Sequence, residues 1–298
     1  MYQKKFTLRH VIKNFSELNI EVSPVEEHFG VPWILQMEHR EENFSTYLYA
    51  QVVDPEKAPW SVDAHLEFRV LSGKGLLVKS TSYKYESNVG YGFHTFRTWD
   101  DMIKNCVVDN TVTIECDVTI KSMTGIARKR TLSFENPREN LTDMVLKVGE
   151  EKFNVSRVLL ATHSPYFNAL FFSNFSESKK SKIELKDVDP EAFQQLLEAI
   201  HGELSVRPDN VEILLNLADR FDVKMIRKRC EEFLTSSSNM TNKNKLRIAD
   251  LFNLEDVKNH CLKDVKTADD VRLLVPTDPS GMNPSTLSKL LLIAITPP

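Results

Sequence analysis

The chain has 298 residues, 41% of them hydrophobic and 27% charged, which leaves room for about two ordinary domains with buried cores and excludes a disordered or fibrous protein. A formal charge of −4 supplies no basic field to hold a phosphate backbone, so no nucleic acid is expected as a partner. The longest apolar block, residues 290–295, is far too short to span a bilayer, and residues 1–6 contain no apolar run for a signal peptide. No membrane partner is expected, and the protein is expected in the cytoplasm and/or nucleus.

Residues 6–121 read as strands. Apolar side chains recur at every second position, in Val62, Ala64, Leu66, Phe68 and Val70 and again in Val112, Ile114, Cys116, Val118 and Ile120. Period two puts each row on one face of a strand, and such rows separated by turn residues predict an all-β sandwich. Tyr83 and Tyr85 share one strand face, so both belong to the core or both to a surface groove. Gly90 and Gly92 flank Tyr91, which would let another main chain come close. Tyr and Phe rings offer large apolar contact with few rotors, the chemistry of a peptide-binding surface.

Residues 122–137 are basic and contain Ser, Thr and Pro, which predicts a flexible linker; 131–134 has the composition of one more strand. Beyond residue 141 the pattern changes. Met144, Leu146 and Val148 alternate, Gly149-Glu150 supplies a hairpin turn, and Phe153 and Val155 continue the alternation. The period then becomes helical: Asp189 is a good N-cap with Pro190 at N1, and Phe193, Leu196, Leu197 and Ile200 form one stripe. Val211, Leu214, Leu215 and Ala218 repeat the spacing, as do Val223, Ile226 and Cys230. This half is predicted to be α+β, followed by helices over 243–274 and a loose turn with a short helix over 275–298.

No arrangement for catalysis is evident. His260 and Cys261 are neighbours on a predicted helix and point about 100° apart, which rules out a dyad. Cys106, Cys116, Cys230 and Cys261 are scattered and form no CxxC, so neither a disulfide framework nor a metal site is indicated, and no cofactor is expected. The Asn-x-Ser/Thr sequons read as chance matches in a chain without an export signal. The clusters Arg128-Lys129-Arg130 and Arg227-Lys228-Arg229 read as a solvated linker and a solvated helix face.

Two stretches resemble known modules. Phe6-Thr7-Leu8-Arg9-His10-Val11, Phe29-Gly30-Val31-Pro32-Trp33, Gly90-Tyr91-Gly92-Phe93-His94-Thr95-Phe96 and Trp99-Asp100-Asp101 follow one another as in a MATH (TRAF-like) domain. Residues 153–167, then Phe175-Ser176-Glu177, then residues 179–193 follow one another as in a BTB (POZ) domain. Together they resemble the MATH-BTB family, the speckle-type POZ protein among its members, whose proteins are substrate adaptors of cullin-3 RING ubiquitin ligases. The resemblance implies a MATH domain over 1–125, a linker and first BTB strand over 126–140, and a BTB domain over 141–236. It further implies three-box or BACK-like helices over 237–275 and a tail over 276–298.

Carried over residue by residue, the family's groove for a short degron corresponds to Tyr47, Leu66, Tyr83, Tyr85, Tyr91 and Phe93. The hydrophobic-x-Glu triplet that docks cullin-3 corresponds to Phe175 and Glu177, although the same triplet recurs at Phe15-Ser16-Glu17. The charged pair of the BTB homodimer interface corresponds to Asp143 and Arg157. The chain departs from the family in having Tyr91 for a Trp, Leu66 for an aromatic, Val89-Gly90 for a Lys-Asp pair and Ser156 for a His. The other reading is a BTB homodimeric scaffold or transcriptional co-regulator that engages no cullin; no zinc fingers follow to support a DNA-binding branch.

Overall fold

The computed structural model of the chain describes residues 4–51, 59–72, 75–126, 128, 130–173, 181–238, 240–275 and 279–295. Alternating sequence in the first half forms β1 (Lys4–Lys13), β2 (Ile20–Val22), β3 (Glu26–His28), β4 (Val31–Arg40), β5 (Asn43–Ala50), β6 (Ser61–Ser72), β7 (Gly75–Tyr85), β8 (Gly90–Thr98) and β9 (Thr111–Thr124). One sheet has the order β1-β9-β6-β7; the other runs β2-β4-β5-β8, with β3 paired to β4. Val62, Ala64, Leu66, Phe68 and Val70 have no exposed surface, which is the alternation of β6 realised as one face of a core. Burying each such large side chain stabilises the fold by about 1.5–3 kcal/mol.

A short α-helix accompanies the β-sandwich. Helix α1 (Trp99–Asn105) follows β8, and Trp99 stacks on Phe15 and on His39 at ring-centroid distances of 4.6 and 3.6 Å. The first copy of the hydrophobic-x-Glu triplet is thus core structure, since Phe15 is fully buried there.

The second half opens with a hairpin of β10 (Met144–Val148) and β11 (Glu151–Val155), and β12 (Lys182–Leu185) adds in parallel to β10. Between them lie α2 (Arg157–His163) and α3 (Pro165–Phe172), whose first turns are capped by the hydroxyls of Ser156 and Ser164. Asp189 caps α4 (Pro190–Ile200), accepting from the Ala192 N–H at 2.8 Å. Helices α5 (Val211–Arg220) and α6 (Lys224–Glu232) complete this domain, and α7 (Asn242–Phe252), α8 (Glu255–Leu262) and α9 (Ala268–Leu274) follow it.

The end of the chain is more ordered in pattern than its composition suggested. Residues Pro284–Ile295 form α10, a helix of 12 residues that buries Leu290. The Asp250 carboxylate holds it, accepting from the Thr286 hydroxyl at 2.6 Å while pairing with the buried Lys258 at 3.5 Å.

The linker differs from expectation in two ways. Residues 131–134 form no strand; the Phe134 carbonyl instead accepts from the N–H and side-chain amide of Asn154, at 2.8 and 3.0 Å. Nor is the linker a free tether. Arg128 pairs with Glu191 at 2.9 Å and with the buried Glu198 at 2.7 Å, Arg130 bonds Glu151 and Glu191, and the N–H groups of Thr131 and Leu132 donate to Glu198. The second basic cluster is likewise engaged, Arg227 with Asp219 and Arg229 with the Ala199 carbonyl. Glu198, the buried carboxylate on α4, draws Arg128 and two backbone N–H groups to itself because a buried charge without a partner costs several kcal/mol.

The two halves also touch directly. Lys243 in the first turn of α7 pairs with Asp117 on β9 at 2.9 Å, the Asn244 amide donates to the Thr7 hydroxyl at 2.7 Å, and the Phe29 N–H donates to Asp209 at 3.4 Å.

Candidate functional site

The two sheets meet edge to edge along β7 and β8, the last strand of each. Register decides which side chains face this seam. On β7, Lys79, Thr81, Tyr83 and Tyr85 lie opposite Phe68, Leu66, Ala64 and Val62, the inward row of β6. On β8, Tyr91 and Phe93 lie opposite Leu48 and Thr46 of β5. Inward-facing residues of two edge strands therefore converge. Tyr83 stacks on Tyr91 with ring centroids 3.9 Å apart and planes 9° from parallel, and Phe93 meets Phe68 edge to face at 5.8 Å.

Of the six groove residues expected, the structure brings Tyr83, Tyr91 and Phe93 together, each half-buried at the seam. The other three are corrected. Leu66 has no exposed surface because it faces the opposite sheet from the middle of β6. Tyr85 shares the strand face of Tyr83 but lies deeper: its ring is fully buried against Trp33, and its hydroxyl donates to the Leu48 carbonyl at 3.0 Å. Burial pushes that hydroxyl far above the ordinary tyrosine range. Tyr47 alternates with Leu48 and so lies on the outer face of its sheet, where it is buried against His94 with its hydroxyl 2.7 Å from Nδ1. One face of an edge strand can thus hold both a core and a groove residue, depending on what the opposite sheet packs against each position along it.

Gly90 and Gly92 serve the sheet itself. A Cβ on Gly90 would stand 2.3 Å from the Tyr49 ring, and one on Gly92 would stand 2.1 Å from the Thr46 carbonyl oxygen. Absence of side chains lets β8 pack against β5 and sets the position of Tyr91 between them.

Sequence reasoning missed Lys79. Its ammonium lies 5.5 and 5.6 Å from the Phe93 and Phe96 ring centroids and donates to the Thr95 carbonyl at 3.0 Å. The signal was present in the alternation of Leu77, Lys79, Thr81, Tyr83 and Tyr85, which places the lysine on the aromatic face.

On the second half, Asp143 and Arg157 are brought together within one chain. The Asp143 carboxylate accepts from the backbone N–H of Arg157 at 2.8 Å and so caps the start of α2. Leu141 and Val158 stand beside them, 65% and 66% exposed. Phe175 and Glu177 lie outside the described residues; α3, which precedes them, ends on an exposed Phe172.

A cavity of about 670 Å³ lies elsewhere, between β1 and the helices α7 to α9. Its lining mixes Arg9 and Lys243 with Glu26, Glu115, Asp264 and Asp270, so it presents no single charge to a ligand. Cys261 also lines it, but burial pushes that thiol up to about 11, and Cys230 to about 12, so neither is a nucleophile at neutral pH. Among the described residues no helix is long and apolar enough to cross a membrane.

Comparison with known proteins covers both halves. Residues 12–120 match the MATH domain family, and residues 134–238 match the BTB/POZ domain family. BTB and MATH domain-containing protein 15 of Caenorhabditis elegans is 32% identical over 89% of this chain and 98% of its own length. Protein 38 of that series is 32% identical over 91% of this chain and 73% of its own length, and protein 45 is 29% identical over 92% and 60%.

Proposed function

Because the chain belongs to the family of BTB and MATH domain-containing proteins, we propose that it is a non-catalytic, substrate-recruiting adaptor of a cullin-3 RING ubiquitin ligase. The open aromatic seam carries this reading. Edge strands offer unsatisfied N–H and C=O groups to an extended chain, and the Tyr83, Tyr91 and Phe93 rings beside them offer apolar contact, which together suit a linear motif in a substrate. The BTB half carries the other two contacts: homodimerisation through the surface of Asp143, Arg157, Leu141 and Val158, and cullin-3 capture through Phe175 and Glu177, widened by the three-box or BACK-like helices α7 to α9. The protein works in the cytoplasm, the nucleus or both.

Short motifs bury little surface, so single-site affinities of order micromolar suit the seam. Dimerisation would raise apparent affinity for substrates with several motifs. With Arg128, Arg130, Thr131 and Leu132 held on α4, two seams in a dimer would sit at a set separation, and the gain would favour substrates whose motifs span it.

Reconstituted ubiquitin transfer tests the reading. Cullin-3, its RING partner and the full chain should together modify a seam-bound peptide substrate, and Tyr91→Ala or Phe175→Ala should each stop the transfer. A chain that dimerises but supports no transfer would instead be a scaffold without a cullin.

A further inference from the structure

We infer that the seam takes an acidic linear peptide, one in which an Asp or Glu carboxylate meets Lys79 while an apolar or aromatic side chain a few residues away meets Tyr83 and Tyr91. This rests on the seam being the substrate site, and it names the substrate class. The polarity of the seam is one-sided. Lys79 is its cation, and among the described residues no carboxylate forms an ion pair with it. The contrast with other inward or half-buried cations is clear: Arg69 pairs with Asp117, Arg97 with Asp101, and Arg128 with Glu198.

Lys79 is instead held by two aromatic faces and one backbone carbonyl. Such contacts orient an ammonium without neutralising it. A carboxylate arriving there would add a charge-assisted hydrogen bond beside rings that exclude water. The geometry sets the spacing. Lys79 and Tyr83 are four residues apart on β7, about 13 Å along an extended strand, while Phe93 and Tyr91 are two apart on β8, about 7 Å. A peptide lying along both edges would therefore carry its acid about two to four residues from its apolar anchor.

The test uses the full chain and a set of fluorescent ten-residue peptides, each with one Phe and, two to four positions to either side, a Glu, a Gln or a Ser. The best Glu peptide should bind about tenfold more tightly than its Gln counterpart, as one charge-assisted contact would give. That preference should shrink at high salt and vanish in Lys79→Gln, with the melting temperature of the variant unchanged. Equal binding of Glu and Gln peptides to wild type, or a Glu preference that survives in Lys79→Gln, overturns the inference while leaving the groove in place. Absence of binding by every peptide, or binding unaffected by Tyr91→Ala, overturns the groove reading and the inference with it.

Discussion

Lys243, in the first turn of α7, reaches across the domain boundary to Asp117 on the outer face of β9, with Nζ 2.9 Å from the carboxylate. Asp117 also accepts from the Thr7 hydroxyl and pairs with Arg69 at 2.5 Å, so one sandwich carboxylate gathers partners from both halves. Burial raises the Asp117 carboxyl above its ordinary range, against the pull of Arg69 and Thr7. These contacts tie the sandwich to α7, the first helix after the BTB match.

Lys243→Glu should release that tie. It sets a second carboxylate beside Asp117, where a like-charge contact costs about 1 kcal/mol or more when half-buried. Small-angle scattering should show a larger radius of gyration than wild type, and Lys243→Met a smaller increase. Identical scattering from all three proteins would mean that the remaining contacts suffice to dock the domains.

Glu198→Gln should loosen the linker from α4 in a pH-dependent way. Burial alone would raise the Glu198 carboxyl, but hydrogen bonds from Gln194, Arg128 and the N–H groups of Leu132 and Thr131 together hold it below its ordinary value. A carboxyl lowered in the folded state adds stability that is fully present above the unfolded-chain value of about 4.3 and lost as pH falls through the lowered folded value. The variant should therefore be less stable than wild type at pH 7, by about 1–3 kcal/mol, since it leaves the half-buried Arg128 short of a counter-charge. Urea titrations should show the gap closing in acid; a gap that widens in acid contradicts this account of Glu198.

Gly92→Ala and Gly90→Ala should differ. The added methyl at Gly92 strikes the Thr46 carbonyl in the backbone of β5, which cannot move without breaking the β5–β8 ladder. The methyl at Gly90 strikes the Tyr49 ring, which can swing toward solvent. Gly92→Ala should cost about 2 kcal/mol or more and weaken peptide binding, while Gly90→Ala should cost about 1 kcal/mol or less. Equal melting temperatures for the two variants would refute this division.

The fold was legible wherever a short-range period had one meaning. The row from Val62 to Val70 and the stripe from Phe193 to Ile200 are buried as their spacing requires. The linker was not legible, because Arg128 and Arg130 look solvated in sequence and find their carboxylates more than 20 residues away. The groove was legible only in part. Tyr83 and Tyr85 carry the same local signal, and only packing from the opposite sheet, Trp33 and the Leu48 carbonyl on Tyr85, separates a half-buried ring from one with no exposed surface. Lys79 was passed over because a lysine in a strand reads as solvent-facing, whereas its register with Phe68 turns it inward.

Calorimetric titration of the purified N-terminal domain of cullin-3 into the full chain tests the adaptor reading most directly. Wild type should bind with a stoichiometry of one per chain, and Phe175→Ala and Glu177→Lys should each weaken binding by about 2 kcal/mol or more, as loss of a buried anchor does, with melting temperatures unchanged. No heat of binding for wild type, or equal affinity for wild type and both variants, would contradict it.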